Sequence, residues 1–322
     1  MIKVYRYTEE VHQDWDNMVV RSINGNFQHF RNYMEYHHQL FSDHSIMVEW
    51  EGTLACIVPA HEVGNVLYSH QGLSFGGFLL YPKLRYSQIY LIISAILEYA
   101  YNLGYESIIV KNIPSIYTNS PQGILEHAYF ILEAELIGRE FISAIPLPMD
   151  IETWEHGKRW GLSKSQRLGV RIEENFTFDN FWEKVLIPNL QTKFKAAPVH
   201  NVEEISRLAT NNKGHIRQFN AYIGSELIAG ITIFESEQLV RTQYISATPK
   251  GKSLHALDLM IYHLATEVFS HKKYIDLGTS HELQGRNIKH SLLKWKESYG
   301  ALPYVQDTNK ISTSAYLKLK DV

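Results

Sequence analysis

One order of elements occurs twice in this chain, and that repetition limits the available folds more than any single motif does. Leu54-Ala55-Cys56-Ile57 is matched by Ile228-Ala229-Gly230-Ile231, and Tyr105…Ile108-Ile109 by Tyr274-Ile275…Leu277. Both pairs lie roughly 170 residues apart, which an internal duplication explains. The first half carries helical patterns over Val11–Ile23 and Phe30–Phe41, then strands over Ser45–Trp50 and Leu54–Pro59. Glu51-Gly52 joins these strands as a hairpin turn, because glycine accepts the positive φ such turns require. A short strand over Val66–Ser69, a Gly-rich stretch over Gly72–Leu80, a helix at about Tyr86–Leu103 and a strand over Ser107–Val110 follow, with Gly104 closing the helix. The second half repeats the order: Phe219–Ile223 and Leu227–Phe234 around the turn Gly224-Ser225-Glu226, a strand over Val240–Ser246, a helix at about Leu254–Phe269, and a strand over Tyr274–Leu277.

This alternation predicts an α/β fold. At 322 residues the chain exceeds what one core usually organises, so two domains are expected. Prolines at Pro146 and Pro148 set the boundary, giving 1–150 and 151–322, the latter with a helical, basic segment at about 154–194. A net charge of −3 argues against a broadly basic nucleic-acid surface, leaving room for a local patch. The single cysteine, Cys56, rules out an internal disulfide and a cysteine-built metal cluster, and its apolar surroundings read as a buried structural thiol. The N-terminal Met1–Tyr7 reads as a strand without the apolar core of a signal peptide. The most apolar helix, around Ile89–Tyr101, is interrupted by Ser94 and Glu98 and too short for a bilayer. The expected location is the cytoplasm.

Four stretches of the second half together resemble the Fem-like (FemABX-related) branch of the GNAT acyltransferase superfamily. They are the basic arm Lys158-Arg159…Lys164…Arg167…Gly169-Val170; Ala221-Tyr222-Ile223-Gly224…Leu227-Ile228-Ala229-Gly230; Gln243-Tyr244-Ile245…Gly251-Lys252…Ala256-Leu257-Asp258; and Tyr274-Ile275-Asp276-Leu277-Gly278-Thr279-Ser280…Gly285…Leu292…Lys294-Trp295-Lys296-Glu297-Ser298-Tyr299-Gly300-Ala301. In the first half, Ser69-His70-Gln71-Gly72…Phe75-Gly76-Gly77 is similar to a Gly-Gly segment of the same group. The resemblance implies two tandem GNAT-like domains, each a mixed central sheet flanked by helices. It also implies transfer of acyl or aminoacyl groups to amines. Within that group some members use aminoacyl-tRNA and cell-wall precursors, and others acyl-CoA in surface-polysaccharide pathways.

Thr248-Pro249-Lys250-Gly251-Lys252-Ser253 links a strand to a helix, an arrangement suited to anions and equally to a plain surface turn. In GNAT enzymes the equivalent loop cradles a pyrophosphate; here the central glycine is kept and the flanking positions of the usual form are lost. The same run fails as a P-loop because Ser246 stands where the first glycine belongs. Lys296, after Trp295 in Trp-Lys-x-x-Tyr-Gly, resembles a lysine near the Fem-like transfer site and suits a developing oxyanion. Its alternative is a solvated face with Lys289 and Lys294. Asp276, ending a strand, suits the handling of an acceptor amine's proton or a turn. Tyr244, His281, Glu282 and Arg286 are candidate substrate contacts, as are Ser69 and His70; Lys158 and Arg159 suit phosphates. Gly72-Leu73-Ser74-Phe75-Gly76 matches a nucleophile elbow, but the following apolar run and Pro82 argue against the helix that mechanism needs. Neither His61-Glu62 nor His281-Glu282 has a second histidine at zincin spacing, so no metal is expected. The sequence therefore points to an acyl-CoA-dependent N-acyltransferase acting on an amino sugar or related cell-envelope precursor. Its alternatives are aminoacyl transfer from aminoacyl-tRNA to a peptidoglycan precursor, with tRNA disfavoured by the acidic charge, and a GNAT fold that only binds.

Overall fold

The computed structural model describes residues 1–37 and 39–320. It separates into two compact units, one from Met1–Glu140, His281–Asn287 and the described part of Val305–Val322, the other from Phe141–Ser280 and Ile288–Tyr304.

In the first unit, Ile2–Arg6, Ile46–Trp50, Thr53–Val58 and Leu79–Leu80 form an antiparallel sheet in that order. Glu51 and Gly52 both take positive φ, as the two-residue turn between alternating strands demands. A second set of strands centres on Ser107–Lys111, which pairs in parallel with Val66–Tyr68 and antiparallel with residues 308–312 of the strand Leu302–Ser312. Over the sheets lies the helix Tyr86–Asn102, burying Ile89, Ile92, Ile93, Ile96, Leu97 and Ala100 at helical spacing against Ile46, Val48, Cys56 and Val58. Cys56 is fully buried there, and burial pushes its thiol pKa well up. The helix expected over Phe30–Phe41 shortens to Arg31–Met34 and a single 3-10 turn, Glu35–His37; residue 38 lies outside the described residues. Arg31 accounts for the bend: it is turned inward under the Tyr7 ring, 3.7 Å from its centroid, and paired with Glu35 and Asp43 at 3.1 and 2.5 Å.

Within the second unit the sheet runs Arg171–Asn175, Ile216–Ile223, Glu226–Glu235, Leu239–Ala247, Tyr274–Thr279, then residues 142–146. The segment expected as helical over 154–194 supplies that first strand as well as the helices His156–Arg167 and Ile187–Phe194. Residues 171–175 leave the helix because their backbone finds a partner in Gln218–Tyr222. The parallel contact between Leu239–Ala247 and Tyr274–Thr279 covers only Leu239–Arg241 with Tyr274–Asp276; beyond it the two strands part. The helix expected from about Leu254 begins at Ala256 and runs on through Val268, set off by a left-handed φ of 56° at His255 from a separate short helix, Pro249–Ser253.

Gly251 is fixed by packing: a Cβ at that position would run into the carbonyl oxygen of Ile228. We expect Gly251→Ala to lower stability by about 1–3 kcal/mol, the usual range for overpacking, in urea unfolding. Lys252→Met on the same loop should stay within about 0.5 kcal/mol of the parent, as exposed substitutions do.

Candidate functional site

Where the two parallel strands part, Asp276 and Lys296 converge. Asp276 is fully buried, and its Oδ1 accepts the backbone N–H of Gly278 at 2.6 Å, turning the chain through Gly278 at a φ of +75°. Lys296, near the end of the helix His290–Glu297, is 2% exposed. Its Nζ donates to the carbonyls of Gly278 at 2.8 Å and Thr279 at 2.7 Å. Burial lowers its pKa to about 8; the Asp276 carboxylate acts the other way, and Arg241 adds to the lowering. The solvated lysine face is thereby excluded for Lys296.

Three residues further on, Tyr299 belongs to a second buried group. Its hydroxyl donates to Asp258 Oδ1 at 2.5 Å, and Lys158 Nζ reaches the same oxygen at 2.9 Å and the Tyr299 oxygen at 3.0 Å. His255 Nδ1 lies 3.0 Å from Asp258 Oδ2. Gly161, on the helix His156–Arg167, allows that helix to close on this group, because a Cβ would strike Asp258 and His255. Trp154 and Trp295 stand edge-on to the Tyr299 ring at 4.9 and 5.0 Å. Burial and then Asp258 raise the Tyr299 pKa well above that of an ordinary phenol. Asp258 and Tyr299 were not singled out from sequence, although an acid inside Ala256-Leu257-Asp258-Leu259-Met260-Ile261 was a usable sign, since buried acids are paired.

The anion-loop candidates are engaged with the protein itself. Thr248 Oγ1 accepts the Gly251 N–H at 3.0 Å, and the Thr248 carbonyl accepts that of Lys252 at 2.9 Å. Lys250 pairs with Glu226, Lys252 donates to Asn189 at 3.2 Å, and the Ser253 hydroxyl donates to the Lys250 carbonyl at 2.8 Å. Tyr244 bonds to His200 Nδ1 at 2.6 Å and lies against Trp182, while Arg159 pairs with Glu152.

The remaining candidates fall in the first unit. A cavity of about 430 Å³, within the range of ligand pockets, is lined by Ser69, His70, Gln71, Lys111, Glu140 and Gln284, among others. Gly76 lets its segment press against this wall, since a Cβ there would meet the Ser69 carbonyl. His70 holds a positive φ of 62°, uncommon for a side-chain-bearing residue. Segment 281–287 brings Gln284 to the pocket; Glu282 bonds to Asn287 at 3.0 Å, and Arg286 is exposed. Ser74 is followed by turn and extended chain, so the elbow geometry is absent there. Among the described residues, no three His, Cys, Asp or Glu side chains gather to hold a metal, and no helix is long and apolar enough to cross a membrane.

No family model matches this sequence, and no curated protein matches it. Solved structures do match in shape. FemX superposes with a TM-score of 0.71 at 11% identity, covering 99% of this chain and 100% of its own. L-PGS from Bacillus licheniformis gives 0.57 at 11% identity, over 92% of this chain and 90% of its own. A tandem GNAT protein from the clavulanic acid biosynthesis pathway, solved without AcCoA, gives 0.51 at 11% identity, over 97% and 99%. The chain has the Fem-like fold of tandem GNAT-like domains.

Removing Lys158 would take the lysine ammonium from the buried Asp258 carboxylate, leaving it Tyr299 and His255. We expect Lys158→Met to cost about 3 kcal/mol in urea unfolding, the scale for breaking a buried pair from one side. Lys296 yields a pH test of opposite sense to most ion pairs. Its folded pKa, about 8, lies below that of an unfolded lysine, so between pH 8 and 10.5 the unfolded chain binds more protons. Stability should therefore rise across that window by roughly 3 kcal/mol relative to Lys296→Met.

Proposed function

We propose that this protein transfers an acyl or aminoacyl group directly onto an amine, with Lys296 as the electrostatic group of the reaction. The observation that carries this reading is a buried ammonium held at the end of a parting strand, aimed by two carbonyls and poised near neutral pH. An ammonium has three donors, and two are bonded to Gly278 and Thr279. The third is available to an oxygen that gains charge, where a low-dielectric setting makes it most effective.

In the reaction the neutral amine attacks the carbonyl carbon of the activated acyl group. A C–N bond forms, the carbonyl oxygen becomes an oxyanion against Lys296, and the bond to the carrier then breaks. The amine's proton leaves with the carrier oxygen or sulfur. Asp276 serves by holding the strand end and the lysine charge, because its Oδ1 is already bonded to Gly278.

The donor we favour is an aminoacyl ester, as carried on tRNA. Coenzyme A carries a pyrophosphate, which needs free N–H groups at a helix start. The Thr248–Ser253 loop turns the N–H groups of Gly251 and Lys252 to Thr248 and both its ammonium groups to Glu226 and Asn189, which counts against that group. The acceptor class that suits the fold is an amine of a cell-envelope precursor. The work is done in whatever compartment supplies the charged donor, which for an aminoacyl ester on tRNA is the cytoplasm.

Amide formation is measured by mass spectrometry with an aminoacyl-tRNA or acetyl-CoA as donor and an amino sugar or peptidoglycan precursor as acceptor. We expect product with the aminoacyl ester; product from acetyl-CoA alone would reverse the choice of donor. Lys296→Met should lower the rate about 10²–10³-fold, the loss seen when one oxyanion donor is removed. Because the protonated form is the active one, kcat should fall above pH 8, and Lys296→Arg should move that limb to higher pH. A flat profile to pH 10 would remove Lys296 from the reaction.

A further inference from the structure

The first-unit pocket contains a carboxylate oxygen with no hydrogen-bond donor among the described residues. Glu140, on the strand Glu135–Pro146, has a side chain 15% exposed, yet its Oε2 is shut off from solvent and accepts no hydrogen bond. The nearby cation, Lys111 Nζ, stands 3.6 Å away, beyond hydrogen-bond reach, and is itself 40% exposed. Among the described residues, Glu140 is the one carboxylate on the cavity wall, and Lys111 the one lysine or arginine. Buried carboxylate oxygens in proteins are almost always matched by donors, and a charged donor makes the stronger bond.

The wall around it suits a polar ligand that presents such a donor. Ser69 is fixed, its Oγ accepting the Lys111 N–H at 3.0 Å and its own N–H donating to Ile109 at 2.8 Å. The turn at His70 is held by bonds from its N–H to Tyr68 at 2.7 Å and from Leu73 to its carbonyl at 3.0 Å. Strain retained in this way at a cavity wall is a common mark of a binding site. Lys111, being long and largely solvated, can swing away from Glu140 without rearranging the backbone.

We infer that this pocket binds a primary ammonium, which displaces Lys111 and donates to Glu140 Oε2, so that Glu140 recognises an amine-bearing ligand in its protonated form. The inference rests on the transferase reading above for its role, but the binding itself is a separate property of the first unit. Isothermal titration of the full chain tests it with two matched pairs: D-glucosamine against D-glucose, and n-hexylamine against n-hexanol. Each amine should bind at least about tenfold more tightly than its alcohol. Glu140→Gln, which keeps shape and removes charge, should erase that preference. Lys111→Met, which removes the competing cation, should tighten amine binding several-fold, an effect that mere loss of structure would not give. No binding of either amine, an amine preference that survives Glu140→Gln, or weaker binding in Lys111→Met each overturns the inference. Transfer activity with an unchanged KM for the amine in Glu140→Gln leaves the transferase standing and removes this site from it. Amine binding that depends on Glu140 in a chain without transfer activity does the reverse.

Discussion

In the second unit the parting of two parallel strands determines what else can be built. Leu239–Ala247 and Tyr274–Thr279 pair only as far as Arg241 and Asp276, and past that point Tyr274–Thr279 keeps its partner on the other edge alone. Buried carbonyls are normally matched by donors, and on this side the donor is a side chain. Lys296 is that side chain, with one ammonium serving two carbonyls, and Asp276 satisfies the Gly278 N–H from the other side. Structure and chemistry meet in this arrangement. The same desolvation that accompanies these bonds brings the ammonium's pKa down to about 8.

The Lys158–Asp258–Tyr299 group steadies the segment that carries Lys296. Tyr299 follows the helix His290–Glu297, and its hydroxyl ties it to Asp258 on the helix Ala256–His263. Lys158 balances the charge from a third helix, and the Glu155 N–H donates to the Ser298 carbonyl at 3.0 Å. A lysine at the end of a short helix is therefore positioned by elements on several sides. This is what a site needs if small displacements are to cost rate, since catalytic groups depend on positioning.

Much of the architecture was legible because local chemistry and global fold agree. Glu51-Gly52 and Gly224 mark hairpins whose φ values the structure requires, and the apolar spacing from Ile89 to Ala100 is a helix face that packs as written. Two long strands, Glu135–Pro146 and Leu302–Ser312, were not legible. In the second, the inward positions include Gln306 and Asn309, both buried and polar, so the alternation that signals a strand is missing. Its return to the first unit is likewise beyond periodicity, which reports that a strand exists and not which strand it joins. At the site, Lys296 and Asp276 were readable as a motif. The partners of Asp258 and Glu140 were not, because Lys158 and Lys111 lie far along the chain without any shared local pattern.

The Thr248–Ser253 loop shows how far a motif's letters can depart from its physics. A glycine between two lysines at the start of a helix reads as an anion cradle, because the glycine is assumed to expose the backbone. Here the glycine is needed for the opposite reason, to let the turn close onto Ile228, and the Thr248 side chain and carbonyl take the N–H groups of Gly251 and Lys252. The pocket in the first unit inverts that relation. Nothing in the spacing around Glu140 announces a site, yet among the described residues its buried Oε2 accepts no hydrogen bond. Lys111 balances the charge of that oxygen from 3.6 Å without bonding it, and a ligand ammonium that bonded it directly would make the stronger contact.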